Sequence, residues 1–258
     1  MIMDIVIVTK DRYNLLPKAV LQAKNLTDNV IVVDSTEHAN IPLLKSLKVN
    51  FILTPNAKLG YARQKGLLKT TTDQVAFLDD DIHINTQWLT ESLKQLANVK
   101  TAAVSPLIIF YDIKHPELAQ LSLCGRSAGA SSGAVILDRN KVLSVNGWNV
   151  NVHFGEDFEL ALRLRKHGFE WKRNINIYAL HPITYSEWLR RGYTHGYGIA
   201  SLNTVSTFYL FLRAFGSTII MPFFYFFRSK SVKVFKAYFL FRLNFLLGLM
   251  EAMKQHVA

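Results

Sequence analysis

Cysteine is nearly absent. Cys124 is the single one in 258 residues, so an intrachain disulfide is excluded and nothing points to an oxidising compartment. The 13 glycines include no G-x-G-x-x-G or Walker A run, which leaves a dinucleotide-binding or P-loop fold unsupported. No secretory leader is expected, because Met1-Ile2-Met3 is followed by Asp4 and the apolar run ends at Thr9 without a cleavage-like site. Acidic residues run short in the carboxyl-terminal part. Residues 1–162 hold 16 Lys/Arg and 16 Asp/Glu, whereas residues 163–258 set 14 Lys/Arg against Glu170, Glu187 and Glu251, so the whole net charge of +11 lies there. That part is also strongly apolar, and its expected partner is an anionic membrane surface or lipid. No nucleic acid is expected, since it would call for basic residues on a polar face without long apolar runs.

The length suits one large domain, or one domain plus an appendage. Apolar runs at Asp4 to Thr9, Val30 to Val33, Phe51 to Leu53 and Val75 to Leu78 alternate too little for half-exposed strands and suit strands buried on both faces. Helical spacing over Leu15 to Ala23, Gly60 to Leu68 and Thr86 to Leu96 alternates with them, as in a doubly wound α/β fold with a parallel sheet. Ala102 to Phe110 and Ala134 to Leu137 read as further strands. Lys114 to Ser132 has little periodicity, and Gly125, Gly129 and Gly133 mark either a loop near a ligand or a turn-rich connection.

Asp79-Asp80-Asp81 directly follows the strand-like Val75 to Leu78. Like charges this close raise one another's pKa, so the triplet predicts a cation or a set of donors that offsets the repulsion. Oxygen donors suit Mg²⁺ or Mn²⁺ holding substrate phosphates; the alternative is a solvated acidic turn. Sheets of this kind bind ligands at the carboxyl ends of their strands, and Thr9, Asp34 and the triplet all fall at such ends. A second constellation is Gly147-Trp148 followed by Phe154-Gly155-Glu156-Asp157 and a helix carrying Arg163. Glu156 and Asp157 fall in its first turn, where acidic residues serve as caps or as functional groups. A carboxylate so placed is expected to have a depressed or ordinary pKa, suited to a general base.

Taken in order, these residues resemble the inverting, metal-dependent glycosyltransferases of family 2, which have the GT-A fold. Ile7-Val8-Thr9-Lys10-Asp11-Arg12 is similar to the family's first strand and nucleotide loop, and Ile31 to Ser35 to its second-strand aspartate motif, although the usual following glycine is missing. Asn56 to Arg63 resembles its loop-to-helix segment, Phe77 to Asp81 its D-x-D region, and Gly155-Glu156-Asp157 its acceptor-side motif. The resemblance implies that Thr9 and Asp34 hold the nucleotide base, with Asp11, Arg12 and Lys58 on the donor side and Arg63 near the base or the diphosphate. It implies Asp81 as metal ligand, Asp79 or Asp80 on the ribose or on metal-bound water, and His181 as a further ligand to Mn or Mg. Asp157 would be the catalytic base, with Glu156 positioning it or the acceptor. The processive members' Q-x-x-R-W motif is absent; Ser186 to Tyr193 lies near its place, which argues for transfer of one sugar. Arg190 or Arg191 there would meet a phosphate or be surface charges.

The expected architecture is therefore a GT-A catalytic domain over residues 1–200 and a basic, apolar helical tail over 201–258. In the tail, Val205 to Phe227 is long enough to span a bilayer, though Arg213 interrupts it, and Val234 to Met250 is apolar around Lys236 and Arg242. Helices lying in the membrane interface, a hairpin of two spans, and packing on the catalytic domain or on a second copy are the readings open to it. The expected function is a membrane-associated enzyme with a cytoplasmic catalytic domain, moving one hexosyl group from a nucleoside-diphosphate sugar to a lipid-linked or membrane-proximal acceptor. The alternatives are a sugar nucleotidyltransferase, or a non-catalytic membrane-bound protein that binds nucleotide or carbohydrate.

Overall fold

The computed structural model describes residues 3–125, 130–152, 154–202 and 207–257. Their elements, in chain order, are β1 (Asp4–Thr9), α1 (Leu16–Lys24), β2 (Val30–Asp34), α2 (Ile41–Ser46), β3 (Asn50–Leu53), α3 (Leu59–Lys69), β4 (Gln74–Asp79), β5 (His83–Ile84) and α4 (Thr86–Leu96). There follow β6 (Thr101–Tyr111), α5 (Glu117–Cys124), β7 (Ala134–Asp138), α6 (Arg139–Ser144), α7 (Glu156–Lys166), β8 (Glu170–Pro182), α8 (Tyr185–Ser201), α9 (Thr207–Ser229) and α10 (Val232–Val257). The strands form one mixed sheet in the order β3-β2-β1-β4-β7-β6-β8-β5.

The chain divides into two compact units, Met1–Ile108 with Ala128–Leu180 and Ile109–Ser127 with His181–Ala258. In the first, β1 runs parallel to β2 and β4, and β2 to β3. β7 then pairs antiparallel with both β4 and β6. β1, β2 and β4 are buried nearly throughout because helices cover both faces of a parallel sheet, which explains their unbroken Val/Ile/Leu runs. In register, Thr9 lies beside Asp34, and Val8 beside Asp79. The three polar strand ends therefore stand next to one another. Phe77 of β4 meets Trp148 edge to face, with ring centroids 5.6 Å apart, in a core that also takes in Leu160 and Leu164 of α7. Burial of two large aromatic rings ties the sheet to the segment that leads into α7.

In the second unit α8, α9 and α10 pack together, and the expected weakly periodic segment 114–132 contains α5, whose end is marked by Gly125. Gly129 lies outside the described residues. α5 was illegible because its two buried positions, Leu118 and Leu121, are too few to print a helical period.

Gly60, in the first turn of α3, has no room for a side chain: a Cβ there would overlap the Asn149 carbonyl oxygen and stand 3.1 Å from that of Val152. Both opposing atoms are backbone, so relief requires a shift of α3. Gly60→Ala is expected to cost about 1–3 kcal/mol, measured as a lowered denaturation midpoint at unchanged far-UV dichroism.

Candidate active site

The carboxylates at the ends of β2 and β4 are held by specific donors rather than by solvent. Asp79 Oδ1 accepts from Arg63 Nη2 at 2.8 Å. The same guanidinium donates through Nη1 to Glu156 at the start of α7 and lies over the Trp148 ring, 5.4 Å from its centroid. Arg63 is 1% exposed. Burial works against its charge, yet Asp79, Glu156 and Asp157 outweigh that cost and hold its pKa above the ordinary value. One arginine thus joins α3, β4 and α7.

Asp80 accepts from the Thr9 hydroxyl at 2.5 Å and from Arg12 Nη1 at 3.1 Å. Arg12 also pairs with Asp81. Burial first, and then the neighbouring Asp81 charge, push the Asp80 carboxyl up to about 6, against the lowering effect of Thr9 and Arg12. For Arg12, burial is outweighed by Asp81 and Asp80, which raise its pKa. Asp34 is fully buried and accepts from the Tyr13 hydroxyl at 2.6 Å and the Thr36 N–H at 2.9 Å. Where the expected glycine is missing, Ser35 is buried and its hydroxyl meets that of Thr54 at 2.9 Å. Asp11 adopts φ 56°, and its N–H donates to Thr36; a non-glycine residue in this region stores strain where the nucleotide loop was expected. Lys58 precedes α3 and donates to the Asn151 carbonyl at 3.1 Å.

Gly155 adopts φ 77° immediately before α7 and turns the chain so that Glu156 and Asp157 occupy its first turn. Glu156 is buried and takes the Ser132 hydroxyl at 3.2 Å as well as Arg63. Asp157 accepts the Ser132 N–H at 3.3 Å and the Phe158 N–H at 2.7 Å. Both carboxyl groups are raised from their ordinary values, chiefly by burial, with Arg63 pulling the other way. This corrects the depressed or ordinary pKa expected for Asp157: desolvation exceeds what the helix end and two N–H donors return. Arg163 anchors the same helix through Glu159, at 2.6 and 2.7 Å, and the Gly147 carbonyl at 2.7 Å.

Thr9, Arg12, Asp80 and Asp81 therefore meet one another, and Arg63 and Ser132 join Asp79, Glu156 and Asp157 into a second group. Arg63, expected near the base or diphosphate, contacts Asp79 and Glu156. Tyr13, Thr36 and Ser132 were not foreseen. The glycine- and serine-rich run before β7 was the only sign of Ser132, and nothing in the sequence ties Tyr13 to Asp34. His181 belongs to the second unit, where its Nε2 faces Arg191 Nη2 at 3.0 Å and its ring lies 5.1 Å from that of Phe110.

Among the described residues, no group of three or more His, Cys, Asp and Glu side chains is arranged to hold a metal ion. The donor chemistry still fits Mn or Mg. Those ions commonly take one or two protein carboxylates and complete their shell with water and phosphate. Asp80, Glu156 and Asp157 all have raised pKa values, chiefly through burial and to a lesser degree through neighbouring carboxylates.

The model of glycosyl transferase family 2 matches residues 4–154, more than half of the chain, and that of glycosyl transferase family group 2 matches residues 95–253. The chain belongs to glycosyl transferase family 2. Within the family, it is 28% identical over 162 residues to the pre-mycofactocin glycosyltransferase of Mycobacterium tuberculosis, covering 55% of this chain and 34% of that protein. The chain thus spans about a third of the length of the curated relatives it matches. Solved structures with the same fold include a mannosyltransferase from Pyrobaculum calidifontis in complex with GDP-Man and Mn²⁺, at TM-score 0.61 and 13% identity over 99% of this chain and 74% of that one. Another is glucosyl-3-phosphoglycerate synthase from Mycobacterium tuberculosis with Mn²⁺, UDP and glucosyl-3-phosphoglycerate, at TM-score 0.54 and 17% identity over 78% of both chains. The mixed sheet and flanking helices of this family 2 chain are the GT-A fold.

Arg63→Met leaves Glu156 buried without its cation and is expected to cost about 3–5 kcal/mol, read by chemical denaturation; Arg63→Lys recovers part of it. The raised Asp80 has a signed consequence. Its folded pKa lies above its unfolded one, so the folded state holds the proton longer, and stability falls as pH rises from about 4 through about 6. In metal-free protein, the stability of Asp80→Asn relative to wild type is therefore expected to increase between pH 4 and pH 7.

Proposed function

We propose that this chain is a metal-dependent, inverting glycosyltransferase that moves one hexosyl group from a nucleoside-diphosphate sugar to a lipid-linked or membrane-proximal acceptor. The observation that carries the reading is Arg63. By pairing with Asp79 and with Glu156 it brings the last residue of β4 and the first turn of α7 to a single guanidinium, which supports donor-side and acceptor-side groups serving one reaction centre.

Asp81 and Asp79 would hold Mn or Mg. Such an ion would offset the charge that develops on the departing nucleoside diphosphate. The relatives' complexes with GDP-Man or UDP and Mn²⁺ support that donor class. Asp34 accepts hydrogen bonds from Tyr13 and Thr36, and with Thr9, Asp11, Arg12 and Lys58 it would form the nucleotide side.

Asp157 takes the proton from the acceptor hydroxyl. Its raised pKa makes it a stronger base than a solvated aspartate, and its two N–H donors hold the carboxylate in place. Glu156, fixed by Arg63 and Ser132, keeps the first turn of α7 at the carboxylate cluster. A single base with an already good leaving group implies one displacement and inversion at the anomeric carbon. The catalytic unit would face the cytoplasm. The candidate membrane helix Tyr209–Ser229 supports an acceptor at the membrane.

Purified protein with Mn²⁺ and a panel of nucleotide sugars is expected to release nucleoside diphosphate slowly without acceptor. Asp81→Ala is expected to lower that release at least 100-fold. Asp157→Asn is expected to lower transfer to acceptor by about 10²–10⁴-fold, the range of general-base catalysis, while donor binding by thermal shift stays intact. Release of pyrophosphate would favour a nucleotidyltransferase, and full transfer by Asp157→Asn would end the base assignment.

A further inference from the structure

The second unit ends in two long helices whose outer faces are unusual for a water-exposed surface. Along α9, Leu212, Phe215, Ile219, Phe223 and Phe227 are exposed at helical spacing, Phe227 by 73%. Along α10, Phe239, Leu243, Leu247 and Met250 form a second exposed stripe. Cations stand toward the ends of these stripes: Arg213 near the start of α9, and Arg228, Lys230, Lys233 and Lys236 around the α9–α10 turn, all exposed. Over residues 207–257 the only acid is Glu251. Contiguous exposed apolar surface marks an interaction site, and this charge pattern complements an anionic bilayer surface.

Among the described residues, α9 alone is long and apolar enough to cross a membrane, with mean hydropathy 1.5 over Tyr209–Ser229. Its neighbours are not. Gly192 and Gly196 of α8 leave no room for a Cβ against the Phe241 and Phe245 carbonyls of α10, and Gly248 none against that of Tyr193, so α8 and α10 run side by side in contact. α9 is bound to α10 in turn, because Arg242 donates to the Ser217 hydroxyl and, at 3.3 Å, to the Ala214 carbonyl. A crossing would therefore draw in Arg242 of α10, level with Ala214 and Ser217, and Arg190 and Arg191 of α8, next to the Gly192 contact with Phe241, charges that are costly in hydrocarbon. The turn is also tied down. Gln120 of α5 donates to the Ser229 carbonyl at 3.1 Å, and Leu118 and Leu121 pack with Tyr225, Val234 and Ala237.

We propose that the α9–α10 hairpin is an in-plane membrane anchor. It lies along an anionic bilayer with its exposed apolar stripes at the boundary of headgroups and acyl chains, its Lys and Arg residues reaching the phosphates, and neither helix crosses. This deepens the membrane-proximal part of the proposed function. Its readouts need neither donor nor acceptor, so failed anchoring and failed sugar transfer are told apart.

The 258-residue chain is expected to co-sediment with vesicles of phosphatidylcholine containing phosphatidylserine, and to bind pure phosphatidylcholine vesicles much less. Replacing Lys230, Lys233 and Lys236 by Glu is expected to weaken binding about 100-fold. Ile219→Asn with Ile220→Asn, both at exposed positions, is expected to abolish it at unchanged far-UV dichroism. Topology is read in a Cys124→Ser background carrying Lys233→Cys at the turn or Lys254→Cys near the far end of α10. A membrane-impermeant maleimide is expected to label both in inverted membrane vesicles of a bacterial expression host and neither in spheroplasts. Labelling of either site in spheroplasts means a helix crosses and overturns the proposal. So does an absence of vesicle binding, or a lipid-free dimer dispersed by the Ile219/Ile220 change, which would assign the face to a second copy.

Discussion

A guanidinium buried to 1% exposure is tolerated only when carboxylates surround it, and Arg63 has two of them. Removing such a charge from water costs several kcal/mol; paired geometry with Asp79 and Glu156, and the face of Trp148, recover that cost. The consequence is mechanical as well as electrostatic. α3 and β4 follow one another in the chain, α7 comes 93 residues after Arg63, and each contributes one partner to the same contact. Gly60 reinforces it, because its lack of a side chain lets α3 approach the Asn149 carbonyl.

Around that contact the chain has gathered more carboxylate than it neutralises. Arg12 covers Asp80 and Asp81, yet Asp80, Glu156 and Asp157 all hold their protons more tightly than free carboxyl groups do. A protein keeps such a surplus at a cost in stability, and groups held at that cost are concentrated at functional sites. Burial is the largest cause of the shift at each of the three.

The second unit solves a different problem. Its helices are joined by small residues that let backbones touch, at Gly192, Gly196 and Gly248, and by one arginine, Arg242, that bonds across to α9. Both devices suit helices whose outer faces are apolar, since side-chain burial at the contact is then a weak discriminator between inside and outside. The apolar stripes that remain exposed are continuous, and their cations stand toward the ends.

The parallel strands, α4 and the two terminal helices were legible from composition, because an unbroken apolar run or a strong helical period depends only on neighbours in the chain. The order of the triplet, the Gly-Glu-Asp turn and the loop before α3 was enough to suggest the family. What no local pattern carried was partnership. The Arg63 to Glu156 pair spans 93 residues and Arg12 to Asp80 spans 68, and short elements such as α5 and β5 bury too few side chains to leave a period. The sequence determined which residues could meet a cation and which stretches had to be buried. Only the folded chain decided that Arg63 would bind both carboxylate groups and that Asp157 would be raised rather than lowered, because desolvation depends on everything packed around a charge and not on the residues beside it.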